Sequence, residues 1–453
     1  MRPLTGGLIR ARAAKAGAVL GCFLTLPSGS VGAQDRTCQL QIDNVDREGV
    51  RANVTPTATN YFAGGNVRMR CRGQDVRIWT DSVASYQGQI VQFVGHFRYE
   101  DETAHVTSDF GTYYKDNERW EAQGNVVYIN QRDGSKLTGP NARYLRKMKG
   151  RDLEEVMADQ RPTLTLASKD SLNRPQEPYV VIADRIHMLG ADRMWAGGTV
   201  AIDRSDLRGR GDSLALDTGK GNSGLLLGHA SIRQAASDSF ALASKRIDLA
   251  LAKKEIVGVT GRDSATLTSK ELDLTAQSIA LRLEARKVVQ TLAWGETQRP
   301  RALSDDYEVR GDSLAIDTPA ETLKELRSFR HAWVGFKPDT TKGERDWLAG
   351  EQVVASFVDR PGATGKKSAL QQIQATNSAQ SFYRVSNSTT PGSRPSINYS
   401  RADRILLIMQ VGDSLKVERV EMSGKVDGVQ LEPEIAKRDT LRVDTTATKP
   451  KKP

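Results

Sequence analysis

Histidine and cysteine are scarce in this chain, five and three among 453 residues. His96, His105, His187, His229 and His331 stand singly, and no His/Cys group has the spacing of a zinc ligand set. An Asp/Asn-rich nonapeptide array for Ca²⁺ is missing, and so is a glycine-rich phosphate loop or dinucleotide fingerprint between a strand and a helix. Neither a metal nor a cofactor is expected. Helical periodicity is nearly absent; "TPAETLKELRS" (318–328) is the one short helix that the pattern allows. Past the first 33 residues no run approaches the ~18 apolar residues of a membrane helix, so the mature chain is expected to have no transmembrane segment. Hydrophobic residues make up only 38%. That is low for a compact core and suits a thin array whose strands are partly solvated.

The N-terminus has the layout of a secretory leader. Arg2, Arg10, Arg12 and Lys15 form a basic region, Ala16 to Leu26 an apolar core, and Val31-Gly32-Ala33 a small-residue cleavage site. The reading is a signal peptide over 1–33. An alternative places a lipidated Cys22 at the end of "VLGC", where Leu20 fits poorly. Loss of the four basic residues would lower the formal net charge from +10 to +6. That leaves a mildly basic body, and nucleic acid, which needs a basic face with aromatic platforms, is not an expected partner. Cys38 and Cys71 then remain as one disulfide formed in an oxidising compartment or as two free thiols.

What the chain does have is repetition. Glycine-centred stretches recur: "YFAGGNVRMR" at Gly65, "VQFVGHFRYE" at Gly95, "WEAQGNVVYIN" at Gly124, "MWAGGTVAID" at Gly198, "LLLGHASIRQ" at Gly228 and "VEMSGKVDGV" at Gly424. Degenerate copies follow at Gly258, Gly295, Ala332 and Ala379. The spacing from Gly65 to Gly95 is 30 residues, and the same interval separates Gly198 from Gly228. Two residues before the glycine stand Ala63, Phe93, Ala122, Ala196, Leu226 and Met422; two after it stand Val67, Phe97, Val126, Val200, Ala230 and Val426. Alternate strand positions share a face, so each unit offers an apolar row interrupted by a glycine. A mid-strand glycine marks a bulge, a bend or a close approach. A second strand with a "D-S/R-hydrophobic" start precedes each copy, as in "TDSV" (80–83) and "ADRI" (183–186 and 402–405), with polar turns such as "SYQGQ" and "LAKKE" between. The segment 161–178 reads as a linker or long loop, and 358–370 and 386–396 as long loops.

"RGDSLALD" (210–217), repeated as "RGDSLAID" (310–317) and "VGDSLKVE" (411–418), contains the letters of a serine-esterase motif and of an adhesion tripeptide. A nucleophilic serine needs a base and a strand-to-helix elbow. The histidines fall in repeat strands and no helical pattern follows any copy. Ser213 is therefore expected at the start of a β-strand with no histidine in hydrogen-bond reach, and no catalytic residue is expected.

The stretch from "YFAGGNVRMR" through "TDSVASYQG", "VQFVGHFRYE" and "WEAQGNVVYI" resembles the OstA-like, or LptA-like, family of lipopolysaccharide export proteins, strongly over 55–145, fairly over 179–300 and traceably to 430. The resemblance implies an all-β fold: a twisted, open β-jellyroll of stacked two-strand repeats, here over 34–160, 176–300 and a degenerate 303–440; the polar, basic tail at 441–453 reads from its own composition as disordered. It also implies acyl chains of lipopolysaccharide or a related glycolipid held in an apolar groove, with Val67, Phe93, Phe97, Trp120, Val126 and Val200 as groove candidates. Partners would be other jellyrolls of a periplasmic bridge, stacked by strand edges, and localisation would be periplasmic, with outer-membrane association open. The alternative is a structural or adhesive cell-surface β-repeat protein without a lipid ligand.

Overall fold

The computed structural model describes residues 37–56, 58–169, 174–235, 240–336, 345–359, 368–385, 395–411 and 416–432. The leader, the basic tail and positions 412–415 of the third GDSL copy lie outside them, as do most of the loops read at 358–370 and 386–396. The described chain is all-β, with 28 strands in one antiparallel sheet. Consecutive strands pair as a meander: Ala58–Cys71 with Arg77–Tyr86, that strand with Ile90–Glu100, and so on through Ala104–Tyr114, Arg119–Asn130 and Lys136–Leu145. Pairing continues through both expected block boundaries. There, one long strand is replaced by two half-strands sharing a neighbour: Pro175–Ile182 and Arg185–Leu189 on Arg193–Arg204, and Tyr307–Arg310 and Ser313–Asp317 on Glu325–Phe336.

Local chemistry explains the hairpins. Gln87-Gly88 and Lys253-Lys254 both have two consecutive positive φ angles, the backbone of the two-residue turns that match strand twist. Strict alternation does the rest. Along Ile90–Glu100, residues 91, 93, 97 and 99 are buried and 92, 94 and 98 exposed. The buried side chains, from Cys38 to Met409, join in one contiguous apolar cluster. The sheet curls on itself to close that cluster, since strand ends far apart in the pairing order touch: Ser168 Oγ lies 3.2 Å from Glu255 and Lys254 Nζ 3.0 Å from Asp133.

The six clean repeat glycines sit at kinks; in the degenerate copy at Gly258 the kink of the strand Glu255–Ser269 falls instead at Asp263-Ser264 (φ 64° and 68°). At Gly95-His96 both residues are left-handed (φ 81° and 46°), and the register to Arg77–Tyr86 slips between Val94 and Arg98. That is a one-residue bulge. It keeps the inward parity of Phe93 and Phe97 on either side. The space a Cβ would need at Gly95 is filled by Asp81, whose Oδ2 would stand 2.2 Å away. The same acid–glycine pairing recurs as Asp109–Gly124, Asp184–Gly198, Asp212–Gly228 and Asp403–Gly424. The acid also binds the residue after the glycine: Asn125 Nδ2 donates to Asp109 at 2.9 Å, and His96 and His229 meet Asp81 and Asp212 at 2.8 and 3.0 Å. Buried hydroxyls finish the cap, as where Thr80 Oγ1 donates to the carbonyls of Val94 and Gly95. The "D-S/R" strands and the glycine strands are thus the two halves of one device.

Three expectations are corrected. The helix read at 318–328 is only a 3₁₀ turn, Pro319–Glu321, followed by strand Glu325–Phe336. Pairing on both edges, with Ser313–Asp317 and Trp347–Asp359, overrides local helix propensity. The segment read as a linker contributes strands Thr163–Lys169 and Pro175–Ile182, which pair with each other. Ser213 lies in the middle of strand Leu207–Asp217, not at its start, because pairing with Arg193–Arg204 begins at Leu207. In the last copy of the repeat, Val426 is exposed and departs from the inward row.

Candidate functional site

The apolar interior is the feature that every repeat builds. All six groove candidates lie in it: Val67, Phe93, Phe97, Trp120, Val126 and Val200 are each at most 3% exposed. Its N-terminal section is an aromatic stack. Trp120 packs against Tyr113 at 4.3 Å, Tyr99 at 4.5 Å and Phe93 at 5.9 Å between centroids, and Phe93 meets Phe97 at 5.1 Å. Gly111 makes this possible, since a Cβ there would come within 2.7 Å of the Phe97 ring. The remaining void is about 10 Å³, about what a single water molecule needs.

Polar groups seal this section. Tyr99 and Tyr144 hydroxyls both donate to Asp101, at 2.5 and 3.0 Å, and burial pushes both phenols well above their ordinary pKa. They are neutral donors at any ordinary pH. Glu118, itself buried, accepts from Tyr113 at 2.8 Å, from Arg146 at 3.1 Å and from the backbone N–H of Cys38. Cys38 and Cys71 form a disulfide. It ties the chain entering the first strand, Leu40–Asn44, to the end of the third, Ala58–Cys71, because Arg47–Thr55 intervenes.

Further along, the lining changes from aromatic to aliphatic. Met188, Met194, Leu216, Ile232, Leu249 and Ile256 surround a cavity of about 50 Å³. Asp192, Arg193, Thr218 and Lys254 also line it and supply polar groups. Methionine fills irregular space adaptably, and this section is looser than the aromatic one. Its volume is well short of the ~300–1,000 Å³ of ordinary ligand pockets, and the interior as it stands is a packed core.

The face opposite the core carries the other chemistry. Ser213 there lines a cleft of about 770 Å³ with Trp195, His187 and Arg185. No hydrogen bond joins Ser213 to a histidine among the described residues; His229 is bonded to the adjacent Asp212 through Nδ1. Arg210-Gly211-Asp212 lies inside the strand, not on a turn. The same Asp–His pair recurs as Asp312–His331 at 3.1 Å, which identifies it as part of the kink.

The kink acids were not singled out from sequence as partners of the glycines. The signal was present: the acid stands 14 to 16 residues before the glycine in the first four clean pairs. The Glu118–Arg146 pair joins neighbouring strand ends just beyond the Arg119–Leu145 partners, and its bond to Cys38, 80 residues away in the chain, carries no such signal. No protein-family model matches the chain, and no curated protein matches it.

Proposed function

We propose that this chain is a periplasmic carrier of lipopolysaccharide or a related glycolipid, built as an OstA-like, LptA-like jellyroll and exported by its N-terminal leader. The observation that supports it is the contiguous apolar interior, which runs from Cys38 to Met409 through the described sheet. A purely structural stack needs only a core, and the aromatic N-terminal section, with its void of about 10 Å³, favours that second reading of a structural or adhesive repeat protein. The aliphatic section lined by Met188 and Met194 favours the carrier, because methionine-lined apolar surface adapts to varied guests. Acyl chains would enter where the sheet parts along the curl and displace the loose section first. Strand edges at the two ends, such as the wholly exposed Asp427–Leu431, would pair with other jellyrolls by strand addition. No step of this function uses a catalytic residue.

Photocrosslinking tests it. A photoreactive residue at Leu249, Phe97 or Val126 is incubated with lipopolysaccharide, with Arg98 as the outward control. Adducts from inward positions, strongest at Leu249, are expected. No inward adducts, or equal adducts from Arg98, would leave the structural repeat protein as the better account.

A further inference from the structure

We infer that a cleft on the outer face of the sheet, around Gly311, is a binding site for a phosphate-type oxyanion. The strand Tyr307–Arg310 sends Tyr307 and Val309 into the core. Alternation therefore turns Glu308 and Arg310 to the other face. The Glu308 side chain is nevertheless fully buried, because three guanidinium groups cover it. Arg301 and Arg310 each donate through Nε to Oε1 at 2.6 Å, and Arg345 donates to Oε2. Next to them Arg299 and His331 share Asp312, at 3.3 and 3.1 Å. Four arginines thus face two carboxylates, and the cluster has an excess of two positive charges.

The arrangement is held in place. The Arg310 guanidinium stands 5.0 Å from the Trp333 ring centroid. Trp333 in turn lies across Gly335, where a Cβ would come 2.1 Å from the ring, and Gly335 is the cross-strand partner of Glu308. The buried carboxylate takes the Nε of Arg301 and Arg310, so the terminal N–H pairs of both remain uncommitted among the described residues. Arg299, Arg301, Arg310, Gly311, His331 and Trp333 line a cleft of about 510 Å³, within the range of ligand pockets. A guanidinium fork matches a tetrahedral oxyanion bidentately, and a dianionic phosphate would balance the excess charge. The surroundings are too polar for an acyl chain. The site faces away from the apolar interior and stands or falls independently of the lipid proposal.

The phosphate could be free in solution or carried on a lipid headgroup. The full-length chain is titrated calorimetrically with inorganic pyrophosphate, and separately with phosphatidylcholine vesicles with and without phosphatidylglycerol, at ~0.1 M ionic strength, where contributions beyond ~10 Å are screened. The variants are Arg299→Gln, which leaves the cover of Glu308 intact, Arg310→Lys, which keeps the charge and loses the fork, and Arg68→Gln as a distant control. Thermal melts confirm that each is folded. Saturable pyrophosphate binding, weakened about tenfold by Arg299→Gln and by Arg310→Lys and unchanged by Arg68→Gln, is expected. Binding to phosphatidylglycerol vesicles alone, with the same dependence, would assign the phosphate to a headgroup at the same site. Binding of neither probe, or an equal loss in Arg68→Gln, overturns the site.

Discussion

Gly228→Ala measures the kink directly. Gly228 has φ +69°, and an added Cβ would stand 2.1 Å from Asp212 Oδ2. Two costs combine. Holding alanine in the left-handed region costs about 1–2 kcal/mol. Moving Asp212 aside breaks its 3.0 Å bond to His229 Nδ1, worth about 0.5–1 kcal/mol at an exposed site. The expected loss is about 1.5–3 kcal/mol. Gly88 isolates the backbone part, since its φ is +67° and nothing lies within 4 Å of its Cβ position. Gly88→Ala should cost only about 1–2 kcal/mol. Asp212→Ala removes the obstructing side chain, so the Asp212→Ala/Gly228→Ala double variant should be about 1 kcal/mol more stable than the sum of the singles. Urea denaturation of the full chain followed by far-UV circular dichroism gives all four values. Additive singles, or equal costs at Gly88 and Gly228, would refute the acid–glycine pairing as the source of the kink's specificity.

Two further perturbations test the ends of the argument. Replacing Cys38 and Cys71 together by serine opens a link spanning 33 residues, for which chain entropy predicts a loss of about 4 kcal/mol. Hydrogen exchange should show it first as lost protection in Leu40–Asn44, and unchanged protection there would refute the clamp. Hydrogen bonding to Arg301, with Arg310 and Arg345 adding to it against burial, holds the Glu308 carboxyl down to about 2, from an ordinary 4.5. A depressed carboxyl contributes stability that is present above its unfolded pKa and lost as pH falls through the folded one. The wild type should therefore lose about 2–3 kcal/mol between about pH 5 and pH 2 through this group, allowing for screening by solvent around the arginines. Glu308→Gln should be less stable at neutral pH by that amount and lack this part of the acid dependence. Parallel pH profiles would refute it.

Much of the fold was legible because it is written in period two. The rows Phe93/Phe97 and Ala196/Val200 point inward as alternation requires, and the polar turns at Gln87-Gly88 and Lys253-Lys254 close hairpins where they were read. The helix at 318–328 misled because its residues have helical propensity, while the strands on either side offer a ladder on both edges. The linker misled because proline and polar residues at 170–178 masked a strand pair. Ser213 was displaced from a strand start to a strand middle because Arg210-Gly211-Asp212 looks like a turn; its glycine instead lies beneath Leu226, whose Cδ1 would be 2.7 Å from an added Cβ. The cover of Glu308 could not be read at all. It joins residues 301, 308, 310 and 345, and no short spacing signals that an acid on the outward face will be buried by arginines.

The kink explains why the two faces of the sheet can carry different duties. A one-residue bulge that preserves inward parity lets each unit bend without turning its apolar row outward. The acid that fills the glycine's empty side fixes the bend from the outer face, and the one inward contribution is a small hydroxyl such as Thr80, whose hydrogen bonds go to the kink's own carbonyls. Interior composition can then drift from the aromatic stack around Trp120 to the aliphatic section around Met194 with the same backbone. The outer face can drift as well, and it does. In the third block the kink acid Asp312 is shared by His331 and Arg299 instead of meeting a repeat glycine, and the neighbouring strand adds the arginine cover over Glu308. The oxyanion cleft therefore arises at a degenerate copy of the repeat, where the kink acid is shared by two cations beside a cluster of further arginines.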